Sequence, residues 1–385
     1  MPEPYIEPLT NRQECYTCQK TVTGKKKLSN CAGCHAITYC GQECQLVDRP
    51  RHKWNCVPVM VTEIPGKGRG LVAAREIKMG ELIFNDKPTI KIDSDGNNEL
   101  LCESMGTEDK MKLMDLILKQ LDRLPSEARL QFHNLIVPET VSYFPGGDNI
   151  STFNKFVMNA RSRRTEDGML DCIYLALNTA LINHSCAPNA VEGCLLPPTE
   201  LKTEIRAIKD IPRGEEITIC YFKSESFKKL DSGTPGRKKG IKEICGFDCN
   251  CCVCSGQVPD QQDVMKEILD LTETLDPYHF RKNPSDWKRE AKTLEKIVDL
   301  SLNLYVGTGV NEKYNSSACL AKAAQMARDE VLLEKALGIC KRIVDDTKVG
   351  NLGRCYEFMK ADLDKWTVEL KSKKPPQGEE IVFFY

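Results

Sequence analysis

The hydrophobic pattern changes rhythm several times along the chain. Residues 64–84, "IPGKGRGLVAAREIKMGELIF", carry short apolar runs that alternate or cluster and are broken by Gly66, Gly68, Gly70 and Gly80, a β-like pattern. In "MKLMDLILKQLDRL" the spacing changes: Met111, Met114, Leu118 and Leu121, widened by Ile117, form the stripe of an amphipathic helix. Pro125 punctuates it, and a second helix is expected through Phe132 and Leu135. A helical insert over about 99–160 therefore interrupts a β-rich domain. "EIRAIKDIPRGEEITICY" (204–221) then reads as a strand, a turn at Pro212–Gly214 and a strand ending at Tyr221. After Pro259 four stretches repeat apolar residues every three to four positions, so the remainder is expected to be helical.

At 385 residues the chain exceeds a single hydrophobic core, and about two to four domains are expected. A net charge of −1 argues against a whole-protein nucleic-acid or membrane surface. "MPEPYIEPLT" has neither the basic start nor the apolar core of a secretory signal. No apolar run approaches the roughly 18 residues of a spanning helix. A soluble intracellular protein without membrane contact is expected, a monomer placed in cytoplasm and nucleus.

Cysteine changes the picture. Of twenty, seven lie between Cys15 and Cys56 and five between Cys245 and Cys254. In a reducing compartment such clusters read as metal ligands rather than disulfides. Cys102, Cys172, Cys194, Cys319, Cys340 and Cys355 read as small core or surface residues.

Residues 15–56 run C-x2-C, twelve residues, C-x2-C, five, C-x3-C, seven, H-x3-C. Each C-x2-C puts two thiolates on one turn, close enough to share a zinc ion at about 2.3 Å. A cross-brace is expected, with Cys15, Cys18, Cys40 and Cys44 on one zinc and Cys31, Cys34, His52 and Cys56 on another. The plainer reading is reduced cysteines without metal. A module this small, with few large apolar groups, cannot fold on burial alone, whereas each structural zinc supplies on the order of 10 kcal/mol. Between residues 10 and 60, eight Lys/Arg face three acids, Glu14, Glu43 and Asp48. That balance is either a solvated face or a surface for weak DNA contact.

Residues 183–190, "NHSCAPNA", end the apolar stretch "IYLALNTALI" on four polar or ligand-capable groups. Buried, each of them needs a partner. "FDCNCCVC" offers three thiols in C-x-C-x2-C, Cys249, Cys251 and Cys254, one short of a closed tetrahedral site. Cys186 can complete it, leaving Cys252 spare.

Two resemblances follow. With "YC" at 39–40 and the "HKWNC" ending, the first segment resembles a MYND zinc finger, which implies a protein-interaction module for proline-containing peptides. "GKGRGL", "NHSC-x-PN", "GEEI-x3-Y" and C-x-C-x2-C, in that order, resemble a SET domain with its post-SET zinc loop. Together they resemble the SET-and-MYND family of protein-lysine methyltransferases. The finger precedes "GKGRGL" instead of following it, as in arthropod-type members.

The resemblance implies an α+β fold: a MYND finger (1–60), a β-rich SET domain with helical insert (61–244), a post-SET zinc loop (245–256) and an all-α, tetratricopeptide-like domain (257–385) roofing the substrate groove. It implies three zinc ions, S-adenosylmethionine and a protein lysine as substrate, histone or non-histone, with a role in transcription. Lys67, Gly68 and Arg69 would meet the cofactor's carboxylate end, Asn183 and the His184 backbone its amino group and adenine edge, and Asn159 would also touch it. Phe247 would stack on adenine, and Tyr221 would aim its hydroxyl at the reacting methyl and amine. Each has a plainer reading as a structural turn or packed side chain. Two aromatic walls of the family's lysine channel are replaced here by Arg161 and Cys245. A SET-fold adaptor recruiting partners through its finger, with little turnover, is the competing expectation, and a DNA-associated regulator a third. The apolar end Ile381–Tyr385 is expected to dock on its own chain.

Overall fold

The computed structural model describes residues 14–21, 28–53, 56–94, 106–137, 150–164, 169–195, 201–221, 233–275, 284–305, 310–347 and 368. Lys25–Lys27 of the basic face, the 351–370 helical stretch apart from Val368, and the Ile381–Tyr385 end lie outside them.

β3 (Val59–Ile64) and β4 (Gly68–Ala73) form an antiparallel hairpin, registered from Val59↔Ala73 to Ile64↔Gly68. Its turn needs glycine, because Gly66 (φ 74°) and Gly68 (φ 73°) occupy the left-handed region. β12 (Glu216–Ile219) pairs antiparallel with β4 and parallel with the short β9 (Asn183–His184), giving the order β3-β4-β12-β9. Tyr221 thus stands two residues beyond the strand that was expected to end on it. β10 (Ala190–Leu195), β11 (Lys202–Ala207) and β5 (Leu82–Asp86) make a second sheet. Leu71, Ile77, Ile205, Ile211 and Ile217, all fully buried, fill the core that these sheets share.

A third sheet, β6 (Ile90–Asp93), β8 (Leu170–Leu175) and β7 (Arg161–Arg164) in that order, carries the helical insert. The insert comprises α2 (Thr107–Leu121), α3 (Ser126–His133) and α4 (Ile150–Asn159), with Pro125 immediately before α3. Phe132, Phe153 and Phe156 pack there with Ile90, Ile173 and Leu175. The buried stripe of α2 is Leu113, Met114, Ile117 and Leu121, whereas Met111 is 60% exposed. This corrects the expected stripe in part: Met114, Ile117 and Leu121 are buried and Leu118 packs beside them, but Met111 is not in it and Leu113 is. The segment has seven apolar residues in eleven positions, so periodicity allows overlapping faces and packing on the sheet selects one.

The finger consists of β1 (Ser29–Asn30), β2 (Thr38–Tyr39) and α1 (Gln42–His52). Its cysteines and Tyr39 pack with Met60 and Ala74, and Arg75 Nε donates to Gly33 O at 3.1 Å, so the finger is docked on the β3–β4 hairpin. Tyr39 Oη donates to Asp48 Oδ2 at 2.7 Å. Asp48 is buried, so one of the three acids counted against the basic face does not reach the surface.

Beyond α5 (Gly233–Cys245), the helices α6 (Gln262–Glu273), α7 (Pro284–Leu302), α8 (Val310–Ala327) and α9 (Glu330–Thr347) pack in sequence around Trp287, Leu294, Leu320, Ala324 and Ala336. Val258 and Met265 join this helical region to the cysteine cluster around Cys186 and Cys249. No helix among the described residues is long and apolar enough to cross a membrane.

Candidate functional site

Twelve cysteine and histidine side chains gather in three groups of four: Cys15, Cys18, Cys40 and Cys44; Cys31, Cys34, His52 and Cys56; and Cys186, Cys249, Cys251 and Cys254. Within each group the ligand atoms lie within 4.8 Å of one another. In the finger, Cys18 and Cys40 sulfurs are 3.7 Å apart, and His52 Nε2 is 3.3 Å from Cys31 Sγ. The local turns set the pairs, and α1, which carries Cys44 and His52, supplies a donor to each group. These groups fit three zinc ions, because a soft, four-donor sulfur/imidazole set is what tetrahedral zinc takes.

The third group joins segments far apart in sequence, with Cys186 Sγ 3.6 Å from Cys254 Sγ. Its four thiols are all buried, and their ionisation is antagonistic. Hydrogen bonding among them, first with Cys186, draws Cys251 down to about 5. Bonding with Cys249, then Cys251 and Cys254, drives Cys186 strongly up. A divalent cation removes this conflict by stabilising every thiolate at once.

The other polar groups of the 183–190 turn also find partners. Asn189 Nδ2 donates to Glu215 Oε1 (2.9 Å) and Glu216 O (2.7 Å), while its Oδ1 accepts from Thr218 N (2.8 Å). His184 Nδ1 accepts the backbone N–H of Tyr221 at 3.1 Å, and Nε2 lies 3.4 Å from Cys186 Sγ. With Nδ1 the acceptor, the ring proton sits on Nε2 and points at the sulfur. His184, Tyr221 and Phe247 rings lie 5.3 to 6.5 Å apart. Tyr221 keeps 40% of its surface accessible, but its hydroxyl turns inward and donates to Ile182 O at 2.7 Å. Burial pushes that phenol above its ordinary range, with Arg161 opposing.

On the hairpin side, Lys67 Nζ lies 2.6 Å from Glu216 Oε2. Arg69 Nη2 donates to Asn134 O at 2.5 Å, so the end of α3 clasps the hairpin. Asn183 Nδ2 donates to Glu216 Oε1 (2.9 Å) and Arg69 O (3.3 Å). A Cβ on Gly70 would come within 2.7 Å of Asn183 Nδ2, and one on Gly68 within 2.9 Å of Ile136 Cδ1. Asn159 Nδ2 donates back to Lys155 O at 2.9 Å, and the Asn159 backbone carbonyl accepts from Arg161 Nη1 at 3.1 Å. Arg161 Nε meets Glu192 Oε2 at 2.9 Å. Burial disfavours the Arg161 charge, and Glu192 more than restores it.

Sequence reading missed Glu216, Glu192 and Asn189. The available signal was slight: Glu216 stands in "GEEI" and Asn189 in the "PN" of the motif already quoted, but neither motif says which atoms its side chain meets.

Comparison with known proteins adds the lineage. The MYND finger family matches residues 15–56 and the SET domain family residues 68–222. The chain is 28% identical over 262 residues to histone-lysine N-methyltransferase ASHR1 of Arabidopsis thaliana, covering 66% of this chain and 49% of that protein. It is 24% identical over 287 residues to human histone-lysine N-methyltransferase SMYD3, covering 74% and 58%. It is 26% identical over 314 residues to human N-lysine methyltransferase SMYD2, covering 77% and 64%. The matched part thus spans about half to two thirds of these relatives' lengths. The chain is a MYND-finger and SET-domain protein, the finger N-terminal to the SET domain, related to the SET-and-MYND protein-lysine methyltransferases.

Proposed function

We propose that the chain transfers a methyl group from S-adenosylmethionine to lysine side chains of other proteins, histones among them, in transcriptional regulation in cytoplasm and nucleus. The observation that carries this reading is one convergence. The Cys186–Cys249–Cys251–Cys254 group ties the 183–186 turn to the 249–254 loop. The Phe247, His184 and Tyr221 rings meet there, and Asn183 links the turn to the glycine hairpin.

The residues present fit the cofactor. A carboxylate calls for cations, offered by Lys67 and Arg69. An ammonium calls for carbonyl-type oxygens, offered by Asn183. Adenine calls for a flat ring, offered by Phe247, while the His184 backbone and Asn159 are further contacts. Gly70 lets Asn183 pack directly on the hairpin backbone, where a Cβ would displace its Nδ2, so the amide is held beside Lys67 and Arg69. Bound there, S-adenosylmethionine supplies an electrophilic sulfonium methyl.

The chain's own task is to hold an amine in line and neutral. A free lysine titrates near 10.4, so neutrality at pH 7 costs roughly 4–5 kcal/mol. Desolvation and a nearby positive charge lower that cost, and positioning supplies most of the rest. Tyr221, a neutral phenol at pH 7 whose proton is donated to Ile182 O, can orient the amine as a hydrogen-bond acceptor.

Arg161 favours a second reading. It and Cys245 stand where the family has channel aromatics, and the Arg161 charge acts on both Tyr221 and Cys245. A cation there, although paired with Glu192, would oppose entry of a lysine ammonium and would suit a SET-fold adaptor with little turnover, its finger recruiting proline-containing peptides. Calorimetry with S-adenosylmethionine, then transfer of labelled methyl to histone and peptide panels, separates the two. Transfer abolished by Tyr221→Phe supports the methyltransferase, and binding without transfer supports the adaptor. Failure to bind the donor sinks the first reading.

A further inference from the structure

We propose that Glu216 is a positioning residue for the amino-acid end of the cofactor, setting the direction of two groups that would touch it. The inference rests on the S-adenosylmethionine reading above. Glu216 opens β12, opposite Val72 on β4. Its two carboxylate oxygens do different work. Oε2 holds Lys67 Nζ at 2.6 Å, and Oε1 accepts from Asn183 Nδ2 at 2.9 Å.

Asn183 shows the consequence most directly. An amide nitrogen has two hydrogens, and here Nδ2 serves two acceptors, Glu216 Oε1 and Arg69 O. With both directed toward β4 and β12, the amide cannot turn over without breaking both bonds. Both amide hydrogens being spent there, Asn183 has only its acceptor Oδ1 to offer a ligand, the polarity an ammonium needs. Gly70 makes room for this arrangement, since any Cβ there would meet the same Nδ2 at 2.7 Å.

Lys67 lies in the hairpin turn between two glycines with positive φ, and its long side chain has many rotamers. The Glu216 contact selects among them and fixes where the charge stands. The side chains of Lys67 and Glu216 are 31% and 18% exposed, so water screens the pair only in part. The result is an ordered sequence of charge: a cation at Lys67 for a carboxylate, and next to it an acceptor at Asn183, backed by the Glu216 anion, for an ammonium. That order matches an α-amino acid and has no counterpart in a plain nucleoside.

The test compares two ligands on the zinc-loaded full chain. S-Adenosylhomocysteine carries the amino-acid end, and 5′-methylthioadenosine lacks it. In E216Q the first should bind about tenfold more weakly, as expected for loss of one charge-assisted contact, and the second within about twofold of wild type. Lys67→Met should reproduce the loss, and the double variant should lose less than the sum of the two. Equal weakening of both ligands would make Glu216 a support of the fold and overturn the proposal. Unchanged binding of both, or strict additivity in the double variant, would overturn it too. If wild type binds neither ligand, the cofactor reading falls and takes this inference with it; if wild type binds both, that reading stands whatever E216Q does.

Discussion

His184 stands between the third cysteine group and Tyr221: Nδ1 takes the Tyr221 backbone N–H at 3.1 Å, and Nε2 lies 3.4 Å from Cys186 Sγ. One imidazole thus couples a metal-ligand set to the backbone that carries Tyr221. His184→Ala removes a ligand's outer hydrogen bond, which typically weakens metal affinity about 10–100-fold. Zinc release against a graded chelator should shift by that amount for the third ion alone. An unchanged release curve would deny the coupling.

Metal removal should divide the molecule. The finger's cluster of buried residues is built around Cys15, Cys31 and Cys34, whereas the main β core around Leu71, Ile77 and Ile217 contains no ligand. Chelation should therefore unfold residues 15–56 while the β core keeps a separate cooperative melt. Hydrogen exchange resolved by peptide is the measurement, with elemental analysis near three zinc per chain before chelation.

The two sides of α2 should respond very differently to truncation. Ile117 is fully buried and Met111 is 60% exposed. Ile117→Ala should cost about 2–5 kcal/mol, and Met111→Ala should stay within about 0.5 kcal/mol. Urea unfolding of both variants checks this, and similar costs would restore the stripe expected from periodicity.

Gly70→Ala should cost more than Gly66→Ala despite an ordinary backbone at Gly70. A Cβ at Gly66 meets nothing within 4 Å, so that change carries only the strain of φ 74°, about 1–2 kcal/mol. At Gly70 the new methyl would push Asn183 Nδ2 and Ile64 Cγ1 from 2.7 Å. The Gly70 variant should also weaken S-adenosylhomocysteine binding, read by calorimetry, while the Gly66 variant changes stability alone.

Burial pushes the thiols of Cys172 and Cys340 up to about 11 and about 12. In the unfolded chain they titrate near 8.5. The folded state then holds protons that the unfolded state has released. Their contribution is intact below about pH 8.5 and is lost as pH rises toward 11. Alkylation by iodoacetamide at pH 8 should be at least about 100-fold slower at both positions in the native protein than in urea. Mass-spectrometric labelling rates decide it.

What the sequence determined by itself was local or periodic. C-x2-C, C-x3-C and H-x3-C spacings confine paired donors to a single turn, and four donors per zinc left one place that Cys186 could fill, so twelve ligand candidates in three groups were legible before any fold. The β-like runs of residues 64–84 and the glycines that break them were legible, and the structure makes a hairpin turn of Gly66 and Gly68 because the left-handed region excludes most side chains. The helical insert and the helical C-terminal region were legible from their three-to-four spacing. Tertiary structure alone decided which face of α2 is buried, that Asp48 turns inward to Tyr39, and that Glu192 takes Arg161. It also decided that Glu216 reaches Lys67 across 149 positions of sequence. The reason is physical. A soft metal accepts only a few residue types, so its ligands announce themselves by kind and spacing. A carboxylate accepts any nearby donor, and which donor is near depends on strand register and order, here β4 and β9 on either side of β12.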